Sequence, residues 1–426
     1  MTKTLFKNFL SLAGAEAFTK AITFIAFAYL ARLFGASGFG HIEWAGAVLM
    51  CASLIVDQGF SSYGAREIAK CPAETPRLVA EIVTARSLFA GISYAAVLAF
   101  AFLFIDNAAL RTLVLVYGVS LFILPALLQW AFQGHDRMNL VAAAQIIRQT
   151  VFVGVIFLFV RDERDLIVVG AAEVAAVACA AGFSLLMYRR EFSAAESFRP
   201  CFSLKLVREG MPIGLSQMFW VIKMFGATFI VGLVATAADT GYFAGAMRIY
   251  IALHTFVWLY FANLLPSLAR AWQQGGEQFS GLVKNSLRIV VPVSLTGGLI
   301  WTMLAPPVMK TAYGEEFLAG GGALQWLAGA CVAAAVSGHY RFGLIAAGFQ
   351  EREMWTSAVG ALAAVVLIPV GYRQAGTGGA AAALCAAEII VLLLSFFIAR
   401  RKLFNFELRR ARSDDFANFP EATSSR

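Results

Sequence analysis

FLSLAGAEAFTKAITFIAFAYLARL, residues 9–33, decides the fold. A helix crosses the ~30 Å hydrocarbon layer of a bilayer in about 20 residues. This stretch is that long and carries only Glu16, Lys20 and Arg32 as charged groups. Lys3 and Lys7 precede it, as they would a secretory leader. A leader, however, has an apolar core of only about 7–15 residues and then a small-residue cleavage site. The run therefore reads as a retained first membrane span.

Apolar runs of similar size recur near 41–60, 83–105, 112–133, 140–160, 166–188, 212–234, 242–265, 285–304, 321–347, 354–372 and 379–399. Together with the first they predict an all-α polytopic membrane protein of about twelve transmembrane helices. The expected division is a six-helix lobe over 1–190, a connection over 191–211, a second six-helix lobe over 212–402 and a tail over 403–426. Composition agrees, with 60% hydrophobic residues, 14% charged residues and a mean hydropathy of +0.73. A soluble domain typically carries about 25% charged residues, so the missing polar surface must face lipid. Period-2 alternation, the mark of a transmembrane barrel, is absent.

Cationic residues set the expected orientation, because Lys and Arg collect in cytoplasmic loops. Twenty-four fall on the side of the amino terminus, Arg86 and Arg148 among them, and six on the other. Both termini are therefore expected in the cytoplasm. The same asymmetry accounts for the basic tail from Arg400 and for a pI near 9.3 without any nucleic acid. Contact with anionic lipid is the next reading of that tail. Six cysteines without a CxxC pair and four dispersed histidines point to neither a disulfide framework nor a metal site. No cofactor is expected.

Four cations fall inside spans: Lys20, Lys223, Arg248 and Arg341. Such a residue at a helix centre costs about 2.5–3.5 kcal/mol on insertion scales, so each needs a hydrated or paired setting. Lys20 lies roughly 16 Å along its helix from Phe9, near the midplane. A shift of 203 residues places Lys20 on Lys223 and Gly38-Phe39 on Gly241-Tyr242. That match suggests a parallel repeat of two six-helix halves, an arrangement that places substrate between the halves. The four cations are the candidate substrate-binding groups for an anion. The bland alternative is internal pairing: Glu16 precedes Lys20 by four residues, and Glu43, Asp57, Glu173 and Glu388 are further partners. Glu173 and Glu388 are also candidates to carry a coupling proton or sodium ion. Positions seven apart share a helix face, so Ser216 is expected beside Lys223 and Thr255 beside Arg248 as supporting hydroxyls.

Several stretches resemble a known family. QWAFQGHDRM at 129–138 is similar to the fourth-helix segment of bacterial polysaccharide-biosynthesis flippases of the Wzx type. LARLFGASGFG at 30–40, GFSSYGAREIAK at 59–70, REGMPIGLSQ at 208–217 and YGEEF at 313–317 resemble further segments of the same proteins, in order. The family lies within the multidrug/oligosaccharidyl-lipid/polysaccharide exporter superfamily. The resemblance implies a two-lobed bundle in the bacterial inner membrane that flips an undecaprenyl-diphosphate-linked oligosaccharide by alternating access. It also implies partners among membrane lipids and polysaccharide polymerase or assembly proteins. One feature departs from the pattern. Family members often carry an acid in the seventh helix shortly before a glycine, whereas Phe225, Gly226, Ala227 and Thr228 stand ahead of Gly232 here.

Two other functions compete. A multidrug exporter of the same superfamily would favour buried acids, whereas the buried charges singled out here are basic. A membrane glycosyl polymerase or transferase needs a sizeable external loop or clustered acids, and RDERD at 161–165 is short and self-neutralising.

Overall fold

The computed structural model describes the backbone of residues 2–192 and 200–404, and within them the side chains apart from those of 2–18, 212–213, 216–217 and 404. Every regular element among the described residues is helical. The first runs over Thr2–Asp57, and Gly35 breaks it with φ +62°. Glycine adopts that conformation without a Cβ penalty, so the stretch forms two spans, α1 (2–34) and α2 (36–57). A surface helix, Phe60–Lys70, then leads into α3 (Thr75–Phe104). Span α4 starts at Ala108–Val119 and continues through 3-10 turns around Pro125 to Gly134. Spans α5 (Met138–Phe159) and α6 (Leu166–Glu191) complete the first six.

The second six open with α7, which is Leu204–Val221, a π turn over Ile222–Gly226, and Ala227–Val234. It begins at Leu204, ahead of the expected 212. Next come α8 (Ala237–Gln274), α9 (Gly276–Tyr313) and α10 (Gly321–Ala346). The last long helix breaks at Ala375 and Gly376, giving α11 (350–374) and α12 (377–399). Nine helices among the described residues are long and apolar enough to cross a membrane. The two internal breaks and the composite α7 bring the spans to twelve.

Side-chain oxygens close the orphan amides at several helix starts. Asn107 accepts from the Leu110 amide, Ser203 from Leu206 and Thr236 from Asp239. Large apolar side chains point outward along the bundle, among them Phe102, Leu103, Phe256, Leu299 and Met303. They are what a lipid-facing surface requires, since hydrocarbon offers polar groups no partner.

The amino terminus and the turns near 58, 135, 275 and 348 lie on one face, called the terminal face below. The turns near 35, 106, 162, 236, 314 and 376 lie on the far face. On the far face α2 crosses α8 backbone to backbone. A Cβ on Gly40 would fall 1.9 Å from the Ala237 carbonyl oxygen, and one on Gly241 2.0 Å from that of Ala36. Ala36 and Gly40 on one helix thus mesh with Ala237 and Gly241 on the other, a small-xxx-small crossing used twice. Structurally, then, Gly40 rather than Gly38 is the counterpart of Gly241. Phe39 packs against Tyr313 and Phe317 beside this crossing. The Glu316 carboxylate accepts the Ala36 amide at 3.0 Å, and Arg32 donates to the Thr311 carbonyl. Together these contacts join the two sets of helices on the far face.

Candidate functional site

Between the two sets of helices lies a cavity of about 520 Å³. Its floor, toward the far face, is set by Glu43 of α2 and Arg248 of α8. Its wall rises along α1, α5 and α8 to Gln129 at the terminal end of α4. The charged groups lining it are Lys20, Arg148 and Arg248 against Glu43 and Glu173.

Arg248 donates through Nε to Glu43 across the seam, and its guanidinium lies over the Phe27 ring, 3.2 Å from the centroid. An Arg can satisfy a carboxylate with one edge and stack its planar face on an aromatic, which a Lys cannot. Lys20 lies nearer the terminal face, where Nζ donates to Thr255 Oγ1 at 2.7 Å. That hydroxyl donates in turn to the Ile251 carbonyl at 2.8 Å. The expected company of Thr255 is therefore corrected: it serves Lys20 on the opposite lobe rather than Arg248 on its own helix. Arg148 donates to Glu173 of the neighbouring α6. Among the described residues, three cations and two carboxylates thus line the cavity.

The structure does not bring all the expected cations together. Lys223 is 3% exposed and lies away from the cavity lining, 2.8 Å from Glu388. Tyr250 OH contacts the same carboxylate at 3.4 Å, and Glu388 Oε2 is buried without a hydrogen-bond partner among the described residues. Arg341 is likewise outside the lining. Its Nε donates to Glu353 at 2.9 Å and its Nη2 to Ser357 Oγ at 2.9 Å, within the second lobe. For Lys223 and Arg341 the expectation of a cavity-facing charge is thus corrected to internal pairing. Spacing along a helix gives the depth of a charge but not the direction in which it faces. The side chains of Glu16 and Ser216 lie outside the described residues. Glu173 does face the cavity.

Two cations assigned to loops are spans' own. Arg148 sits ten residues into α5, roughly 15 Å along it, and Arg86 is buried in α3, 3.5 Å from Asp57. The signal for Arg148 was present in the sequence: QIIRQ at 145–149 places three polar groups on one face of an otherwise apolar helix. Among the described residues no His, Cys, Asp and Glu side chains gather as a metal site.

Solved structures share this two-lobed, twelve-span fold. A multidrug resistance MATE family transporter of the MOP superfamily in an inward-facing conformation superposes with a TM-score of 0.72. It is 15% identical and covers 91% of this chain and 95% of its own. The lipid II flippase MurJ, in an inward closed conformation, also gives 0.72, at 13% identity over 91% of this chain and 87% of its own. Both likenesses are of fold. By sequence, residues 5–272 match the polysaccharide biosynthesis protein family, and the chain belongs to that family. A relative from Shigella dysenteriae, named "Putative O-antigen transporter", is 23% identical over 331 residues, covering 75% of this chain and 80% of that protein.

Proposed function

We propose that the chain moves an undecaprenyl-diphosphate-linked oligosaccharide, the repeat unit of a surface polysaccharide such as O-antigen, from the cytoplasmic to the periplasmic leaflet of the bacterial inner membrane. The observation that carries this reading is the Arg248 guanidinium in the lining of the seam cavity, stacked on Phe27. A diphosphate competes well for a guanidinium, because its oxygens match the two-pronged donor geometry. In an apolar surround each such bond is stronger than in water. Lys20 supplies a second, more flexible donor nearer the terminal face. The polyprenyl chain stays in lipid while the head occupies the cavity.

Transport follows from the position of the contacts. The crossing of α2 and α8 and the Glu316 and Arg32 contacts close the far face, so the cavity serves the cytoplasmic leaflet in this state. A head group bound to Arg248 displaces Glu43 and removes one tie between the lobes. Rocking about the seam then exposes the same cavity to the other side, as in transporters built from paired repeats. No covalent bond is made or broken.

Deleting the gene tests the reading. Complete lipid-linked repeat units should accumulate on the cytoplasmic face, and the wild-type chain should clear them while Arg248→Ala, present at normal membrane levels, should not. Export of single unpolymerised units would instead identify a polymerase.

A further inference from the structure

Three glutamines line the first-lobe side of the cavity: Gln129 of α4, and Gln145 and Gln149 of α5. Gln145 and Gln149 are four residues apart and so lie on one face, with Arg148 beside them. Each is only partly exposed. A carboxamide within an apolar span ordinarily pairs with a neighbouring helix, because hydrocarbon gives it nothing to bond. Gln145 breaks that rule: its Oε1 is buried and has no hydrogen-bond partner among the described residues. A buried amide oxygen left open carries an uncompensated desolvation cost. Packing within the lobe does not account for the row, since Ala or Leu would fill the same wall at no such cost.

We propose that Gln129, Gln145 and Gln149 form a glycan subsite, which holds the sugar adjacent to the diphosphate against the first lobe. The inference rests on the proposed lipid-diphosphate substrate and adds to it the place and chemistry of sugar recognition. Each carboxamide presents two N–H donors and an acceptor oxygen. A sugar hydroxyl is both donor and acceptor, so a row of amides matches a row of hydroxyls in either sense. Amides carry no charge, so they leave the diphosphate to Arg248 and Lys20 and do not compete with it. Division of the wall follows: charge fixes the head at the seam, and neutral polar groups read what is attached to it. A site built to hydrogen-bond a hydroxyl discriminates strongly against an analogue lacking it, because its own groups are then left unpaired.

The test uses the full-length chain in lipid nanodiscs and two probes, farnesyl diphosphate and farnesyl diphosphate carrying N-acetylglucosamine. The wild type should bind the glycosylated probe about tenfold more tightly, the equivalent of about 1.4 kcal/mol. Gln145→Leu with Gln149→Leu should bring that preference close to unity and leave the affinity for farnesyl diphosphate unchanged, which also shows that the protein is folded. Gln149→Leu alone should lose part of the preference. Arg248→Ala should weaken both probes together. Equal binding of the two probes by the wild type, or a preference that survives the double substitution, overturns the subsite and leaves the lipid-diphosphate reading standing. Failure of the wild type to bind either probe overturns both.

Discussion

At the scale of single residues, the pair formed by Lys223 and Glu388 behaves differently from the charges of the cavity. Both are almost fully enclosed in the second lobe, and their ionic partner lies within it. Removing one member of such a pair strands the other in a medium that cannot solvate it, a loss of about 3–5 kcal/mol. Lys223→Met or Glu388→Gln alone should therefore lower the unfolding temperature of the detergent-solubilised protein more than the two substitutions together. A double variant that is less stable than both singles would show that the pair is not their main environment. Arg248 differs because its stacking on Phe27 and its place in the cavity lining leave one edge toward open space. The sequence marked all four span cations as costly and so worth attention. It could not distinguish Lys223 from Arg248, since both lie deep in apolar spans. The partner that separates them, Glu388 or Glu43, comes from a helix far away in the chain.

At the scale of elements, the meeting of α2 and α8 depends on two absent side chains. Gly40 and Gly241 allow backbone contact that no larger residue permits. Gly241→Leu should force the helices apart on the far face. Spin labels at Asp106→Cys and Gln374→Cys, both exposed far-face positions, should then report a longer mean distance, with transport reduced. An unchanged distance would mean that the crossing does not hold the lobes together. The π turn at Ile222–Gly226 places Lys223 within a local widening of α7, a feature frequent at functional sites. The Gly35 break falls between the apolar runs 9–33 and 41–60, but the π turn does not stand out, because hydropathy registers composition and is blind to one residue of register.

At the scale of the whole molecule, the twelve spans place the 161–165 turn and the 273–276 turn on opposite faces. In a cysteine-free background, Glu163→Cys should react with an impermeant maleimide added outside cells stripped of their outer membrane, while Gln274→Cys should react only after the inner membrane is opened. Labelling of both from one side would remove the twelve-span path. Within this bundle the sequence by itself determined a great deal: the helical class, the number of spans, the charge asymmetry and the family resemblance carried by segments such as QWAFQGHDRM. These properties are set by residues close together in the chain, where transfer from water to hydrocarbon is decided about twenty residues at a time. Only the tertiary structure decided which cations share a cavity, that Thr255 answers Lys20, that Arg148 is a wall residue and that Lys223 is sealed within a lobe. Those outcomes depend on the rotation of each helix about its own axis. Rotation is set by packing against neighbours hundreds of residues away, here by two glycines at a crossing and by carboxylates on opposing helices.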